Sequence, residues 1–280
     1  MPDLPLPPAK SISEAVRQAL AEDIGAGDVS AALIPDDRQT SASIICRSAT
    51  VLCGVAWAGE VFRQVDERIR VDWRADDGDT LAAGSVIVRL SGPARGILTA
   101  ERTALNFLQT LSGTATRARR YADAVKGTGV VLLDTRKTLP GWRLAQKYAV
   151  RCGGCENHRL GLFDAFLIKE NHIRAAGGIA AAIGLARGSR PDLPVEVEVQ
   201  TLDELETALA EKPDRILLDN FDLSALKRAV KLANGRMPLE ASGGITLDTI
   251  RDVAETGVDF ISLGALTKDV ESADLSLLFD

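Results

Sequence analysis

At 280 residues, with 46% hydrophobic and 26% charged residues, the chain is long enough for one large domain or two smaller ones, each with its own core. Its net charge of −6 argues against general nucleic-acid binding. No apolar run approaches the roughly 20 residues that span a bilayer. Residues 1–8 are Pro-rich and lack the apolar core of a secretory signal, so the four cysteines are expected to be reduced thiols in a cytoplasmic protein.

The first third of the chain has the pattern of a small α+β domain. Residues 12–23 have the apolar spacing of a helix, and Ser11 with Glu14 predicts a capping box at its start. Short runs typical of strands follow at 43–46, 69–73 and 86–90, and a helical segment at 57–65 lies between them. We therefore expect sheet and helix to be mixed in this region.

A long helix is predicted next, over residues 97–111. Its apolar residues are interrupted by one polar stripe, in which Arg102, Asn106 and Gln109 follow each other at helical spacing. Such a stripe is either a solvated face or a face that meets a site or partner. The Ser-Gly-Thr sequence at 112–114 is expected to interrupt the helix, which resumes over about 116–125.

From residue 130 the pattern changes to strands that alternate with helices, which indicates a parallel sheet, either open or closed into a barrel. The predicted strands are 130–133, 165–168, 195–199, 216–218, 239–241 and 260–263. Polar or glycine residues occur at the end of each, namely Asp134, Lys169, Glu198, Asp219, Ser242 and Gly264. Because barrel enzymes carry their active sites at the carboxyl ends of the strands, we expect these residues to converge on one site.

The central stretch, residues 133–169, concentrates positive charge. It holds seven Lys or Arg residues against three acidic ones, a balance of +4 in a chain whose net charge is −6. Two of these cations, Arg136 and Lys169, follow apolar strands, which is unusual for a merely solvated basic face. The stretch therefore predicts an anion site, in which His158, beside Arg159, is the better functional candidate of the two histidines.

Cys152 and Cys155 form a CxxC motif, with His158 at a spacing compatible with zinc binding. A redox pair or a zinc site is therefore an alternative. We consider it the weaker one, because no second CxxC exists and the surrounding cations oppose a divalent metal. Gly153 and Gly154 are better explained by a sharp, closely packed turn.

Glu198 and Asp219 end neighbouring strands. They could balance the nearby cations, bind Mg²⁺ or sugar hydroxyls, or stabilise a positive transition state. The Ser242-Gly-Gly244 turn and Gly264 follow the last two strands, where barrels often bind phosphate through backbone N–H groups. The residues alone thus indicate a two-domain α/β enzyme for a polyanionic substrate that contains a phosphate, with Mg²⁺ left open.

Eight segments together resemble the quinolinate phosphoribosyltransferase family, also called carboxylating nicotinate-nucleotide pyrophosphorylases. They are EDIGAGDVS, ERTALNFLQTLSGTAT, DTRKTLPGWRLAQKYAVRCGG, NHRLGLFDAFLIKENH, VEVEV, ILLDN, LEASGGI and ISLGALT, and they span residues 22–267. The resemblance implies an N-terminal open-faced α/β sandwich over 1–113, to which a tail at 269–280 returns. It also implies an incomplete α/β barrel of about seven strands over 114–268, and a homodimer or higher oligomer in which each chain caps the other's barrel.

The implied reaction joins quinolinate to 5-phosphoribosyl 1-pyrophosphate and yields nicotinate mononucleotide, pyrophosphate and CO₂, without nucleic-acid or membrane partners. The resemblance assigns catalysis to Lys137, Glu198 and Asp219, with Mg²⁺ held by the two carboxylates directly or indirectly. It assigns substrate binding to Arg102 of the partner chain and to Thr135, Arg136, Lys137, His158, Arg159, Lys169, Glu198, Asp219, Ser242, Gly243, Gly244, Gly264, Ala265 and Leu266.

Two positions depart from the family pattern. Cys155 replaces a glycine, and Lys268-Asp269 replaces a His-Ser pair after the GALT segment. A transport-associated paralogue group shares part of the motif set, so a non-catalytic anion-binding protein on the same fold is the alternative function. That group is expected to lack the LIKENH form found here at residues 167–172.

Overall fold

The computed structural model describes residues 5–280, so the first four residues of the Pro-rich start lie outside the described part of the chain. The helices are α1 (Ala9–Ile24), α2 (Val55–Val65), α3 (Ala94–Ala124), α4 (Arg143–Cys152), α5 (Glu170–Ala176), α6 (Ile179–Ser189), α7 (Leu202–Glu211), α8 (Leu223–Ala233), α9 (Ile250–Ala254) and α10 (Ala265–Lys268). The strands are β1 (Gln39–Cys46), β2 (Thr50–Val51), β3 (Arg70–Trp73), β4 (Thr80–Leu81), β5 (Val86–Pro93), β6 (Val131–Leu133), β7 (Phe166–Ile168), β8 (Val195–Val199), β9 (Arg215–Asp219), β10 (Leu239–Ser242), β11 (Phe260–Ser262) and β12 (Leu275–Phe279). Among residues 5–280, no helix is long and apolar enough to cross a membrane.

The chain divides into two compact units. The first comprises Met1–Arg119, Leu144–Gly154 and Val270–Asp280, and the second comprises Arg120–Arg143 and Cys155–Asp269. This division differs from the boundary predicted after residue 113, because residues 114–119 and the helical segment 144–154 pack with the first unit.

The first unit is built on a four-stranded antiparallel sheet in the order β12-β1-β5-β3. Alternate residues of β1, namely Ala42, Ile44 and Cys46, are buried, as expected for a strand with one face on a core. The C-terminal strand β12 pairs antiparallel with β1, which makes the end of the chain an edge strand of this sheet. Helices α1 and α2 pack against each other.

Two local predictions in the first unit were wrong. Helix α1 begins at Ala9 rather than after Ser11, with Pro8 preceding it and no side-chain cap. Helix α3 is one continuous helix of 31 residues, without the interruption predicted at 112–114. A Cβ atom at Gly113 would overlap the carbonyl oxygen of Glu271, so this glycine allows a close backbone approach rather than a break.

The second unit contains a six-stranded parallel sheet in the order β6-β11-β10-β9-β8-β7, with helices in the connections. All six predicted strands are present. Helix α7 begins at Leu202, where the preceding Thr201 side chain accepts a hydrogen bond from the N–H of Glu204. The parallel order brings the carboxyl ends of the strands to one edge, as in the α/β barrel that was predicted.

The seventh strand is reduced to a single bridge in the described residues. Glu156 pairs in parallel with Leu133 on the free edge of β6, and the Glu156 N–H donates to Leu132 O at 2.8 Å. The predicted "about seven" strands are therefore six strands and this bridge. The short pairing places Asn157 and His158 directly beside the end of β6.

Candidate active site

Asp134 organises the loop that carries the central cations. Its carboxylate is fully buried at the end of β6, where Oδ1 accepts the His158 N–H at 2.9 Å and Oδ2 accepts Asn157 Nδ2 at 2.7 Å. A buried carboxylate needs such donors, because it would otherwise remain desolvated and unpaired. Asp134 therefore fixes the position of residues 157–158 relative to β6, a structural role that the sequence analysis did not assign.

Two predicted anion ligands, Arg136 and Arg159, lie close enough to affect each other. Burial lowers the pKa of Arg159, and the positive charge of Arg136 lowers it further. The Nε atom of Arg136 is buried without a hydrogen-bond partner, while Arg159 Nη1 donates to Ala165 O at 3.3 Å. Two neighbouring guanidiniums with unused donors are stabilised by an anion between them, and their planar geometry suits carboxylates.

Arg143 supports this pair from the backbone side. Its guanidinium donates to Thr138 Oγ1 at 3.2 Å, to Leu160 O at 3.2 Å and to Arg136 O at 3.4 Å. It thus ties the segment after β6 to the segment after His158. The last cation of the stretch, Lys169, directly follows β7 and forms an ion pair with Glu198.

The two histidines have different positions. His172 lies on α5, where its Nδ1 accepts the N–H of Lys169 at 3.0 Å, so it caps the helix. His158 faces the interior of the second unit, where its Nε2 lies 2.9 Å from Glu196 and 3.5 Å from Glu240. Its Nδ1 accepts the N–H of Arg159 at 2.8 Å.

The residues around His158 form a buried charge network. Arg215 Nη1 lies 2.9 Å from the Glu240 carboxylate, and the Arg215 guanidinium stacks over the Phe260 ring at 4.0 Å. Burial and the charge of Glu196 raise the pKa of Glu240 to about 7. Burial opposes ionisation of Glu196, but hydrogen bonds to His158 and Glu240 and the charges of His158 and Arg215 together lower its pKa.

His158, Glu196 and Glu240 have the donor types of a metal site, and their ligand atoms lie within 4.8 Å of one another. The contact at Nδ1 argues against a metal. A neutral histidine that binds a metal through Nε2 carries its proton on Nδ1 and donates it to a neighbour. Here Nδ1 accepts a backbone N–H, so the proton belongs on Nε2, between the two carboxylates.

Glu198 and Asp219 lie at the carboxyl ends of neighbouring strands β8 and β9. Glu198 pairs with Lys169, and Asp219 accepts a hydrogen bond from Asn220 Nδ2 at 2.9 Å. Two carboxylates at one edge of the sheet fit a Mg²⁺ ion that keeps water and phosphate oxygens as its other ligands. The same two groups could instead hold the hydroxyls of a sugar.

The predicted phosphate loops show why glycine is needed there. Gly243 has φ 106°, and a Cβ at this position would overlap the side chain of Asn220. A Cβ at Gly264 would lie 3.0 Å from Lys137 Cδ, so this glycine lets the lysine side chain pass along the backbone. Gly244 also has a positive φ, of 60°.

Two hydrogen bonds hold the backbone of Lys137, one at its N–H and one at its carbonyl oxygen. Its N–H donates to Thr135 Oγ1 at 3.1 Å, and its carbonyl oxygen accepts from Thr267 Oγ1 at 2.8 Å. The side chain of Leu266 is buried and its N–H donates to Leu263 O at 3.4 Å. A phosphate contact in this turn would therefore come from the backbone of Gly264 or Ala265.

Arg102 lies in the first unit, on α3, and is exposed together with Asn106. The third residue of the stripe, Gln109, is partly buried, and its Nε2 donates to Leu275 O at 3.3 Å. The predicted polar stripe thus has an exposed end that carries Arg102 and an end that supports the C-terminal strand.

The cysteines of the CxxC motif form no disulfide, and the Sγ atoms of Cys152 and Cys53 lie 3.7 Å apart in the core of the first unit. Burial raises the pKa of Cys53 well above its ordinary value, so this neighbour of Cys152 stays a thiol. A Cβ at Gly153 would overlap Ala115, and Gly154 has φ 94°, so the predicted close-packed turn is confirmed.

We therefore expect Cys155→Gly to retain activity. Cys155 is buried, and the substitution only restores the glycine that is usual at this position. Treatment with EDTA followed by Mg²⁺ should also leave activity intact. Metal analysis of the purified protein and a rate measurement check both points. Stoichiometric zinc that is lost together with activity would contradict this expectation.

Glu196, Glu240 and Arg215 were not predicted as site residues. The VEVEV sequence of β8 carried a signal, because alternation along a strand places Glu196 on the same face as Glu198. Glu240 is likewise two residues before Ser242 on β10. A charged residue in an otherwise apolar strand, at even spacing from a site residue, indicates an inward-facing group.

A parallel α/β sheet whose carboxyl edge collects cations, two carboxylates and glycine turns defines an enzyme that acts on a phosphorylated polyanion. The model of the quinolinate phosphoribosyl transferase C-terminal domain matches residues 114–278, and that of the N-terminal domain matches residues 28–112. The chain belongs to the quinolinate phosphoribosyltransferase family. The predicted fold class and the predicted enzyme class, a pentosyltransferase, are thereby confirmed.

Proteins and structures similar to this chain have the same family identity. The chain is 49% identical to the nicotinate-nucleotide pyrophosphorylase structure from Francisella tularensis, with a TM-score of 0.97 and 100% coverage of both chains. It is 44% identical to the carboxylating nicotinate-nucleotide pyrophosphorylase of Mycobacterium leprae, over 94% of this chain and 95% of that protein. It is 43% identical to the chloroplastic enzyme of rice (Oryza sativa subsp. japonica), over 99% of this chain and 80% of that protein.

Proposed function

We propose that the chain transfers the phosphoribosyl group of 5-phosphoribosyl 1-pyrophosphate to the ring nitrogen of quinolinate, with loss of CO₂, as a step of de novo NAD synthesis. The products are nicotinate mononucleotide, pyrophosphate and CO₂. The observation that carries the proposal is the pair Arg136 and Arg159. The Nε of Arg136 is buried without a hydrogen-bond partner, and burial together with the charge of Arg136 lowers the pKa of Arg159. A substrate with two ring carboxylates supplies the missing negative charge.

The quinolinate end of the site is assigned to Arg136, Arg159 and Lys169, with Arg102 contributed by a second copy of the chain. Arginine can bind a carboxylate through two parallel hydrogen bonds, which fixes the plane of the pyridine ring. His158 was predicted to join this group. Both of its ring nitrogens contact protein groups, so we assign it to orienting Arg159 rather than to direct binding.

The phosphoribosyl end is assigned to the carboxyl ends of β8 to β11. Ser242, Gly243, Gly244 and the turn at Gly264 and Ala265 bind the 5′-phosphate through backbone N–H groups. Thr135 and Lys137 bind the pyrophosphate. Mg²⁺, held near Glu198 and Asp219, would supply positive charge to the leaving pyrophosphate.

The chemistry follows from this arrangement. As the bond from C1′ to pyrophosphate breaks, positive charge develops on the ribose, and the carboxylates of Glu198 and Asp219 stabilise it. The ring nitrogen then forms the new bond to C1′ and becomes cationic. The adjacent carboxylate leaves as CO₂, its bonding electron pair stays on the ring carbon beside the positive nitrogen, and a proton takes its place.

We further propose a homodimer in the cytoplasm. Arg102 supports the dimer, because it is an exposed cation on a helix of the first unit and the proposed reaction needs cations around a dianion. A two-fold symmetric dimer would let each chain lend this residue to the other. The four cysteines form no disulfide in the described residues, which agrees with a reducing compartment.

Incubation of the purified chain with quinolinate, phosphoribosyl pyrophosphate and Mg²⁺ tests the function. We expect nicotinate mononucleotide and CO₂ to form in a ratio of one to one, and turnover to stop when Mg²⁺ is omitted. The product is measured by chromatography and the CO₂ from labelled quinolinate. Tight binding of quinolinate without any product would instead support the non-catalytic alternative.

A further inference from the structure

The buried charge network around His158 lowers the stability of the folded protein. The side chains of His158 and Glu196 are each 9% exposed and that of Glu240 is 0% exposed, and one carboxylate oxygen of each glutamate is buried without a hydrogen-bond partner. Burying two carboxylic acids makes a folded protein less stable than burying apolar residues of the same size would. Acids that are kept in a protein interior therefore point to a function. Burial of Glu196 and Glu240 therefore requires an explanation beyond packing.

The direction of the hydrogen bonds supplies one. The Arg159 N–H points at His158 Nδ1 over 2.8 Å, so a proton on Nδ1 would face another hydrogen. In a neutral His158 the proton is therefore on Nε2, which faces Glu196 at 2.9 Å. Burial lowers the pKa of His158, but the hydrogen bond to Glu196 and the charges of Glu240 and Glu196 raise it overall, so this tautomer is the form present above that pKa. A neutral histidine has one donor and one acceptor nitrogen. The Glu196 carboxylate keeps the proton on Nε2, so Nδ1 is the nitrogen that accepts the N–H of Arg159.

We propose that Glu196, Glu240 and Arg215 are positioning residues for quinolinate binding. Glu196 accepts the Nε2–H of His158, Glu240 lies 3.5 Å from the same nitrogen, and Arg215 holds Glu240 in place at 2.9 Å. The tautomer selected in this way leaves Nδ1 to accept the N–H of Arg159, which fixes the backbone of a carboxylate-binding residue. The inference rests on the proposed function only for the identity of the substrate.

The network also borders a cavity of about 450 Å³, whose lining residues include Asn157, His158, Arg159, Glu196 and Arg215. Phe166, Val195 and Arg215 in this lining are the first residues of β7, β8 and β9, so the cavity lies at the amino ends of the strands and not at the carboxyl edge that carries the proposed substrate site. Arg159 also experiences the charges of Arg136, Asp164 and Glu196. Positive and negative charges therefore both act on its guanidinium, and a fixed backbone holds the guanidinium in one orientation among them.

Two substitutions of Glu196 separate the roles. Glu196→Gln keeps an oxygen that can accept the Nε2–H, whereas Glu196→Met has a similar size and no acceptor. We expect Glu196→Met to raise the KM for quinolinate about tenfold, because a buried donor loses its partner, and to leave the KM for phosphoribosyl pyrophosphate unchanged. Glu196→Gln should stay near the wild-type value.

A matched control removes a buried hydrogen bond elsewhere in the same unit. Thr256 is buried and its Oγ1 donates to Val253 O at 2.7 Å. Thr256→Val should lower the melting temperature and leave both KM values unchanged. A Glu196→Met variant that behaves like Thr256→Val, or that raises both KM values equally, would show that Glu196 only supports the fold.

The tautomer can be observed without any turnover. The chain has only two histidines, so ¹⁵N-histidine labelling gives two imidazole spectra, with His172 as the internal reference. We expect His158 in the wild type to show a protonated Nε2 and an unprotonated Nδ1. In Glu196→Met this pattern should change for His158 and persist for His172. A wild-type His158 with a proton on Nδ1 at the assay pH, either as the other tautomer or as the imidazolium, would overturn the proposal, even if the variant does not fold.

Failure of the proposed function and failure of this inference give different results. A wild-type protein that forms no nicotinate mononucleotide contradicts the function. A wild-type spectrum with the other tautomer, or an unchanged quinolinate KM in Glu196→Met, contradicts the positioning role.

Discussion

Quinolinate should be turned over about 10⁴-fold more efficiently than nicotinate, measured as kcat/KM at saturating phosphoribosyl pyrophosphate and Mg²⁺. Nicotinate lacks the second ring carboxylate, so either Arg136 or Arg159 would remain in the site without a counter-charge. The buried Nε of Arg136 already lacks a partner, and burial together with the charge of Arg136 already lowers the pKa of Arg159. A site built for two charges discriminates strongly against a ligand that offers one, because the unpaired group stays desolvated.

The variant Arg136→Met tests the physical cause of this discrimination. We expect kcat/KM for quinolinate to fall about a thousandfold, since the substitution leaves one carboxylate of the bound quinolinate without its cation. The preference for quinolinate over nicotinate, measured as the ratio of the two kcat/KM values, should shrink in the same variant. Arg228→Met is the matched control, because Arg228 is an exposed arginine on α8 of the same unit, and it should keep wild-type rates. Similar kcat/KM values for the two acids in the wild type would contradict the assignment.

Two inactive variants should regain activity when their chains are mixed. Arg102→Ala and Lys137→Ala each remove a cation from the proposed dianion and pyrophosphate sites, so each alone should have almost no activity. If the site combines Arg102 of one chain with Lys137 of the other, a mixed dimer holds one site with both defects and one with neither. Random pairing after joint unfolding and refolding should restore about a quarter of wild-type activity.

The double variant Arg102→Ala/Lys137→Ala provides the reverse experiment. A mixed dimer of this chain with a wild-type chain has one defect in each site. Refolding equal amounts together should therefore reduce activity from about half to about a quarter of the wild-type value. Differently tagged chains confirm the exchange. If exchange occurs, while the single variants stay inactive and the double variant causes no loss, Arg102 serves its own chain and the shared site is wrong.

The strands of the second unit could be predicted because they are short and almost wholly apolar. Residues such as Ile216 and Leu218 on β9 are fully buried, and parallel strands covered by helices require that pattern. The parallel order then places the residues that follow each strand at one edge, so Lys169, Glu198 and Asp219 could be assigned to one site before any coordinates.

Some features needed the tertiary structure because they depend on residues far apart in the chain. Gly113 permits the close approach of Glu271, about 160 residues away, so its local tendency to break a helix is overridden. The division that groups 144–154 with the first unit has no local signal either.

The environment of His158 is the clearest case. A cationic neighbour in the chain, Arg159, suggested direct contact with an anion, and the residue types around it gave no reason to expect otherwise. The fold places Glu196 and Glu240, from two strands, against its Nε2 and leaves its Nδ1 to the Arg159 backbone. The sequence determined which strands form and which polar residues follow them, because apolar patterning is local. Only the tertiary structure decided which nitrogen of His158 meets which group, since hydrogen-bond direction depends on side chains brought together from separate strands.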